Sequence, residues 1–90
     1  LDMKSLVRAK LNLYMKTDKI EEHHPHTDLP FKHKGCVFSF NTCDGYTKLE
    51  DGTKIQSVAN RMLLFDASKP HCSTNTTNKQ RRVNINFNYF

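Results

Sequence analysis

The last nine residues, Arg82 to Phe90, alternate without a break. Val83, Ile85, Phe87 and Tyr89 occupy one set of positions; Arg82, Asn84, Asn86 and Asn88 occupy the other. Side chains on a β-strand point to opposite faces with a period of two, so this run makes a strand with one apolar and one polar face. Three asparagines on one face are unusual for a solvated surface, where Thr, Lys and Glu are commoner. A polar cavity wall suits them; a solvated sheet edge is the plainer alternative.

Once one strand is set, the rest of the chain reads as its partners. Ser5 to Tyr14 also alternates, with Arg8, Lys10, Asn12 and Tyr14 on one side and Ala9, Leu11 and Leu13 on the other. Its Ala, Leu, Lys and Arg would serve a helix too, but the period of two favours a half-buried strand. Lys16 to Lys19 reads as a turn, and Ile20 to His26 as a short extended segment. Pro25 lacks an N–H there, so it must face an unpaired edge or a bulge. Cys36 to Phe40 is a strand by propensity. Asp44-Gly45 and Asp51-Gly52 are dipeptides of the kind that close hairpins. They leave room for short strands at Tyr46 to Leu49 and Thr53 to Val58. Arg61 to Asp66 is a compact apolar run, expected to be buried on both faces, and residues 73–80 read as a polar loop. No segment has a convincing helical period. Short strands with turn signals between them predict an all-β sandwich or barrel, and a jelly roll accommodates seven or eight of them.

Ninety residues allow one small domain with a modest core. No run approaches the length of a membrane span, and no signal peptide is visible. The net charge of +5 permits an acidic partner. The Lys and Arg residues are scattered, however, with no basic block beside an aromatic stacking motif. That argues for a solvated basic surface and against a nucleic-acid partner. Three cysteines, Cys36, Cys43 and Cys72, are an odd number without C-x-x-C spacing. A reducing cytoplasm is the simpler expectation.

The chemistry-bearing residues are few. Positions i and i+2 of an extended strand share a face, roughly 6.6 Å apart, so His26 and Asp28 can converge on one ion. His24 has the same parity and is a rival ligand. A distant histidine, His71, and a basic residue on the final strand, Arg82, complete the set. Two histidines and one carboxylate form a facial triad suited to Fe(II), with three positions left open.

That order resembles the Fe(II)/2-oxoglutarate-dependent oxygenases, and the prolyl 4-hydroxylase-like branch in particular. Arg8-Ala9-Lys10-Leu11-Asn12-Leu13-Tyr14 resembles the first core strand of those enzymes, which ends in a tyrosine lining the 2-oxoglutarate site. Asn60-Arg61-Met62-Leu63-Leu64-Phe65 is similar to the run that precedes the distal histidine, and Arg82-Val83-Asn84-Ile85-Asn86-Phe87 to the final strand. The segment from Asn41 to Asp51, with the closing NINFNYF, resembles short oxygenases encoded by marine bacteriophages. The likeness spans about Val7 to Phe90.

The resemblance implies a double-stranded β-helix (jelly roll) forming one oxygenase core over residues 1–90. The supporting N-terminal helices would be largely absent, as in an N-terminally truncated fragment. It implies that His26, Asp28 and His71 hold iron, and that Arg82 rather than its neighbour Arg81 pairs with the far carboxylate of 2-oxoglutarate. Tyr14 would line the same site. Where related enzymes often carry a second tyrosine on the strand after H-x-D, this chain has Ser39. The implied activity uses Fe(II), 2-oxoglutarate and O2. It couples oxidative decarboxylation to hydroxylation of an unidentified protein or small-molecule substrate, peptidyl proline being one candidate. The implied location is cytoplasmic, in the host if the chain is phage-encoded, and oligomeric state is left open.

The loops from Cys43 to Lys54 and Ser73 to Gln80 are the expected seats of specificity. Besides a nucleic-acid-binding role, which ranks third, two rivals stand beside this reading. One is a structural zinc module drawing on His23, His24, His26, Cys36, Cys43 or Cys72, for which the usual close ligand pairs are missing. The other is a non-catalytic jelly-roll binding or structural module of a phage or larger assembly.

Overall fold

The computed structural model describes residues 3–90, and these residues contain seven strands and no helix. The strands are β1 (Leu6–Met15), β2 (Lys34–Ser39), β3 (Tyr46–Lys48), β4 (Lys54–Gln56), β5 (Met62–Phe65), β6 (Cys72–Ser73) and β7 (Arg81–Tyr89). They form two sheets, a four-stranded one in the order β1-β7-β2-β5 and a three-stranded one in the order β4-β3-β6. Every pairing between named strands is antiparallel. No helix among the described residues is long and apolar enough to cross a membrane.

The expected extended segment before His26 pairs along the free side of β6. Glu22 bridges Thr74 and His26 bridges His71, both antiparallel. Pro25 falls between the two bridges, where no N–H is required. The tyrosine hydroxyl of Tyr46 and the ammonium of Lys48, both on β3, bond the Glu22 carboxylate and tie this segment down. Asp51-Gly52 closes the β3–β4 hairpin as expected: Gly52 takes φ +90°, and the Asp51 carboxylate accepts from the Thr53 amide.

Opposed residues in an antiparallel pair share a face, so the register of the larger sheet defines its two sides. Toward the smaller sheet run Arg8–Asn88–Gly35–Phe65, Lys10–Asn86–Val37–Leu63, Asn12–Asn84–Ser39 and Tyr14–Arg82. Away from it run Ala9–Phe87–Cys36–Leu64 and Leu11–Ile85–Phe38–Met62. The asparagine row of β7 therefore faces inward, as a cavity wall.

Three expectations are corrected. Met62 and Leu64 are exposed, so β5 is buried on one face and not two: no element among the described residues covers its outer side. Residues 73–80 are not simply a solvated loop. Ser73 belongs to β6, and Thr74, Asn75 and Thr76 are buried, because their side chains bond inward to neighbouring segments. Asp44-Gly45 closes no hairpin. The Asp44 carboxylate accepts from the Thr77 amide and the Thr76 hydroxyl. Gly45 is needed for space, since a Cβ there would lie 2.6 Å from Arg82 Cδ and 2.5 Å from the Asn75 carbonyl.

The core is unusual in composition. Its buried hydrophobic residues are Cys36, Cys43, Ala67, Cys72 and Tyr89, while the largest fully buried side chains are Arg82, Asn88, Thr74 and Thr76. Burying polar groups is costly unless they are hydrogen-bonded. The interior is accordingly a hydrogen-bonded network laid over a thin apolar base.

Candidate functional site

His26 and His71 arrive from two paired segments. Their amides and carbonyls exchange both backbone hydrogen bonds at 2.9 Å. A residue pair that exchanges both bonds sits directly opposite, so the two imidazoles come together from one bridge, with ring centroids 4.7 Å apart. Asp28 follows two residues after His26, and its amide donates to the Ala67 carbonyl. His26, Asp28 and His71 each offer a ligand atom, all within 4.8 Å of one another.

The orientation of each group is set by a second partner. His71 Nδ1 bonds the Lys69 carbonyl at 2.9 Å, and His26 Nδ1 faces the His24 carbonyl at 3.4 Å. With Nδ1 donating, each ring directs Nε2 at the same carboxylate oxygen, Asp28 Oδ1, at 3.2 Å from His26 and 3.0 Å from His71. The other oxygen, Oδ2, accepts from Asn88 Nδ2 at 2.7 Å and Asn86 Nδ2 at 3.2 Å. Asn88 is fixed in turn, since its Oδ1 accepts from Arg8 Nε and its Nδ2 also contacts His33 Nε2. One carboxylate oxygen is thus held by amides while the other is left to face two imidazole nitrogens.

This clustering sets the titration of the site. Burial alone would push Asp28 up. The hydrogen bonds from His71, Asn88 and Asn86, together with the charge of His71, outweigh it and hold the carboxyl far below its usual range. Burial alone would push His71 down. The bonds to Asp28 and to the Lys69 carbonyl, with the Asp28 charge, outweigh it and raise the imidazole above its ordinary value. Three acceptor atoms directed at one point need a cation between them, either a proton or a metal ion. Donors bound at ~2.1 Å in adjacent octahedral positions lie about 3 Å apart, close to the His–Asp spacings found here. The donor set therefore fits a divalent metal, with each ligand oriented by a further hydrogen bond as metal sites require.

His26, Asp28 and His71 lie on a cavity of about 120 Å³ between the sheets, whose wall also includes Tyr14, Thr47, Ser73, Asn84 and Asn86. Behind that wall sits Arg82, which is 1% exposed. Its guanidinium donates to Ser73 Oγ, to the Thr74 carbonyl at 2.8 Å and to Thr47 Oγ1 at 3.3 Å, and lies 5.3 Å from the centre of the Tyr14 ring. Burial lowers its pKa from the ordinary value, against the pull of Tyr14 and Cys43. An arginine does not deprotonate in proteins, so this is a buried cation. Among the described residues its hydrogen bonds all go to neutral oxygens, and its Nε is buried with no acceptor.

The remaining sequence expectations sort as follows. Arg81 is exposed and lies on the outer face opposite Met15. His24 is exposed and stands outside the ligand cluster. Ser39 is buried opposite Asn84 on the inner face but does not line the cavity. The cysteines are free and buried, and no metal-binding cluster among the described residues includes one. Arg8 and Lys10, read as part of a scattered basic surface, in fact line the cavity, because β1 turns its polar side inward. Sequence reasoning also missed Asn86 and Asn88 as the groups that hold Asp28. Their signal was the asparagine row itself, which indicated a wall but not what it touches.

No protein-family model matches this sequence, and a search of curated proteins finds no match. Solved structures do match. A crystal structure of Fe(II) HppE in complex with substrate superposes with a TM-score of 0.63 at 12% identity, over 97% of this chain and 52% of that one. The fold is a cupin-like jelly roll. A second structure, an RmlC-like cupin protein from Desulfovibrio desulfuricans, gives a TM-score of 0.56 at 13% identity, over 90% of this chain and 82% of that one. This chain therefore spans about half the length of the first neighbour. At these identities the likeness establishes the architecture, and the chemistry rests on the residues of the site.

Proposed function

We propose that the chain is an Fe(II)/2-oxoglutarate-dependent dioxygenase that hydroxylates its substrate. The observation that carries this reading is the buried, unneutralised Arg82 behind the same cavity wall that bears His26, Asp28 and His71. A metal triad alone serves many reactions. A triad facing a cavity with an uncompensated cation behind its wall suits a chelating diacid, one end near the metal and the other carboxylate reaching the guanidinium. Four residues of strand separate Arg82 from Asn86, roughly 13 Å, a span that the Arg82 side chain and a five-carbon diacid can bridge together. That the first structural neighbour is itself an Fe(II) enzyme is consistent with the reading.

The overall reaction would be 2-oxoglutarate + O2 + R–H giving succinate + CO2 + R–OH, with one oxygen atom entering each organic product. When bound, iron would supply the activation of O2. The chain's own residues would do the rest. His26, Asp28 and His71 would hold the ion at the cavity wall. Asn86 and Asn88 would keep Asp28 bound through one oxygen. Arg82, with Thr47 and Ser73 beside it, would fix the cosubstrate's far carboxylate, and Tyr14 would close that end of the cavity against water.

An anaerobic titration with Fe(II) and then 2-oxoglutarate tests this through their visible charge-transfer band. The parent is expected to form the band. Asp28→Ala is expected to lose iron binding altogether, and Arg82→Gln to keep iron but weaken 2-oxoglutarate tenfold or more. A folded parent without the band, or an Asp28→Ala variant that makes succinate at the parent's rate, would refute the assignment.

A further inference from the structure

Arg8 and Lys10 stand on the inner face of the edge strand β1, opposite Asn88 and Asn86, the two amides that hold Asp28. Both line the cavity that carries His26, Asp28 and His71, both are exposed, and among the described residues neither forms an ion pair with an acidic side chain. Arg8 uses Nε on Asn88 Oδ1 at 3.2 Å. The other donors of its fork, and the ammonium of Lys10, are left without an acidic partner at the cavity mouth. Asp28 supplies the cavity's one lining carboxylate, and both of its oxygens are already engaged.

The placement runs against ordinary strand usage, in which cations face solvent and aliphatics face inward. Here Leu11, Leu13 and Met15 take the outward positions. Inward-pointing charges on an edge strand can also discourage edge-to-edge pairing, a role that needs no ligand. The electrostatics of the surroundings favour a ligand. Beyond His71, a groove is lined by three carboxylates, Glu50, Asp51 and Asp66, against Lys69 and His71 itself. An anion is therefore drawn to the β1 side and repelled from the other.

We infer that the primary substrate enters past β1 and is held by an anionic group, a carboxylate or a phosphate, on Arg8 and Lys10. Arg8 offers a planar fork and Lys10 a mobile point charge, a combination that suits either oxyanion. The carbon to be oxidised then lies within a few bonds of that anionic group, because the residues facing Arg8 and Lys10 across the sheet are those that touch the metal-binding carboxylate. For turnover this inference rests on the oxygenase reading; for binding it does not.

The first test is titration of the full metal-free chain with inorganic phosphate, and separately with acetate, followed by nitrogen–proton chemical shifts. Saturable shifts are expected along β1 and at the Arg8 side chain. The double variant Arg8→Gln/Lys10→Gln should weaken phosphate binding tenfold or more. Swapping the two as Arg8→Lys/Lys10→Arg should retain binding, and Lys34→Gln should leave it unchanged. Absence of saturable binding, or an affinity indifferent to the double variant, overturns the inference. Because no iron is present, loss of the charge-transfer band would count against the oxygenase reading alone. A full-strength band without anion binding would overturn only this inference. In turnover, small carboxylic acids or phosphate esters should stimulate succinate release where their amides or neutral alcohols do not. The KM of the stimulating acid should rise at least tenfold in the double variant, with that of 2-oxoglutarate unmoved. A rise confined to 2-oxoglutarate overturns the proposal, moving both residues to the cosubstrate end.

Discussion

The two faces of the four-stranded sheet invert the usual division of labour. Its outer face carries Leu11, Leu13, Met15, Met62 and Leu64, each about half or more exposed. Its inner face buries Arg82, Asn84 and Asn88 at 2% exposure or less. In a sheet with one covered face, apolar residues normally turn to the cover and polar residues to water. Here the cover is the smaller sheet, and what lies beneath it is a polar cavity. The inner row is stabilised by directed hydrogen bonds, Asn12 to Asn84, Arg8 to Asn88, and Asn86 and Asn88 to Asp28. Those five residues are apolar surface facing water among the described residues, carried on the two edge strands β1 and β5. The difference teaches that burial in this fold follows chemistry: the interior is spent on holding a carboxylate and a cation in place.

If that division is right, the inner face should be intolerant and the outer face indifferent. The largest effect is expected at Asn88, which bonds Asp28, Arg8 and His33 at once. Asn88→Ala should weaken Fe(II) binding by about 10–100-fold, as loss of a group that orients a metal ligand commonly does, and should lower stability by about 1–3 kcal/mol through the partners left unpaired. Calorimetric metal titration beside thermal melting checks both. A variant that binds metal like the parent would reduce the asparagine row to mere packing.

A smaller effect is expected from pH. His71 has a folded pKa above its ordinary 6.5, so its contribution is fully present below pH 6.5 and is lost as pH rises through the folded value. Asp28 has a folded pKa below its ordinary 3.8, so its contribution is present above that value and is lost as pH falls through the folded one. Asp44 and Asp66 share the acid limb, so the alkaline limb is the diagnostic one. The melting temperature of the metal-free chain should fall as pH rises above 6.5 and through the raised folded pKa of His71, and His71→Ala should flatten that fall. Metal should reverse it, because binding requires the neutral imidazole.

The smallest effect belongs to the outer face. Leu11→Lys and Leu64→Lys should each change stability by no more than about 0.5 kcal/mol while reducing binding of a hydrophobic dye. A loss of several kcal/mol on denaturant unfolding would mean that this face is part of the core after all.

Much of this was legible in the chain. The period of two in Ser5 to Tyr14 and Arg82 to Phe90 fixes strands, because side-chain direction depends only on local backbone geometry. Asp51-Gly52 places its hairpin, and the H-x-D spacing puts His26 and Asp28 within reach of one ion. The parity of Arg82 against Arg81 also follows from β7 alone. What could not be read locally is which side of a strand meets another element. Alternation defines two faces of β1 and β5 but leaves open that Leu11 and Leu64 face water and that Arg8 and Lys10 line the cavity. The burial of Thr74 and Thr76, in a stretch that reads as loop, is likewise set by segments distant in sequence.

By itself, the sequence determined an all-β chain and a short roster of candidate ligands and cations, since spacing and residue chemistry are local properties. The tertiary structure decided that His26 and His71 lie side by side, that Asn86 and Asn88 take one oxygen of Asp28, and that Gly45 leaves room for Arg82. Each of those facts joins residues far apart in the chain, and only the register between strands brings such residues together.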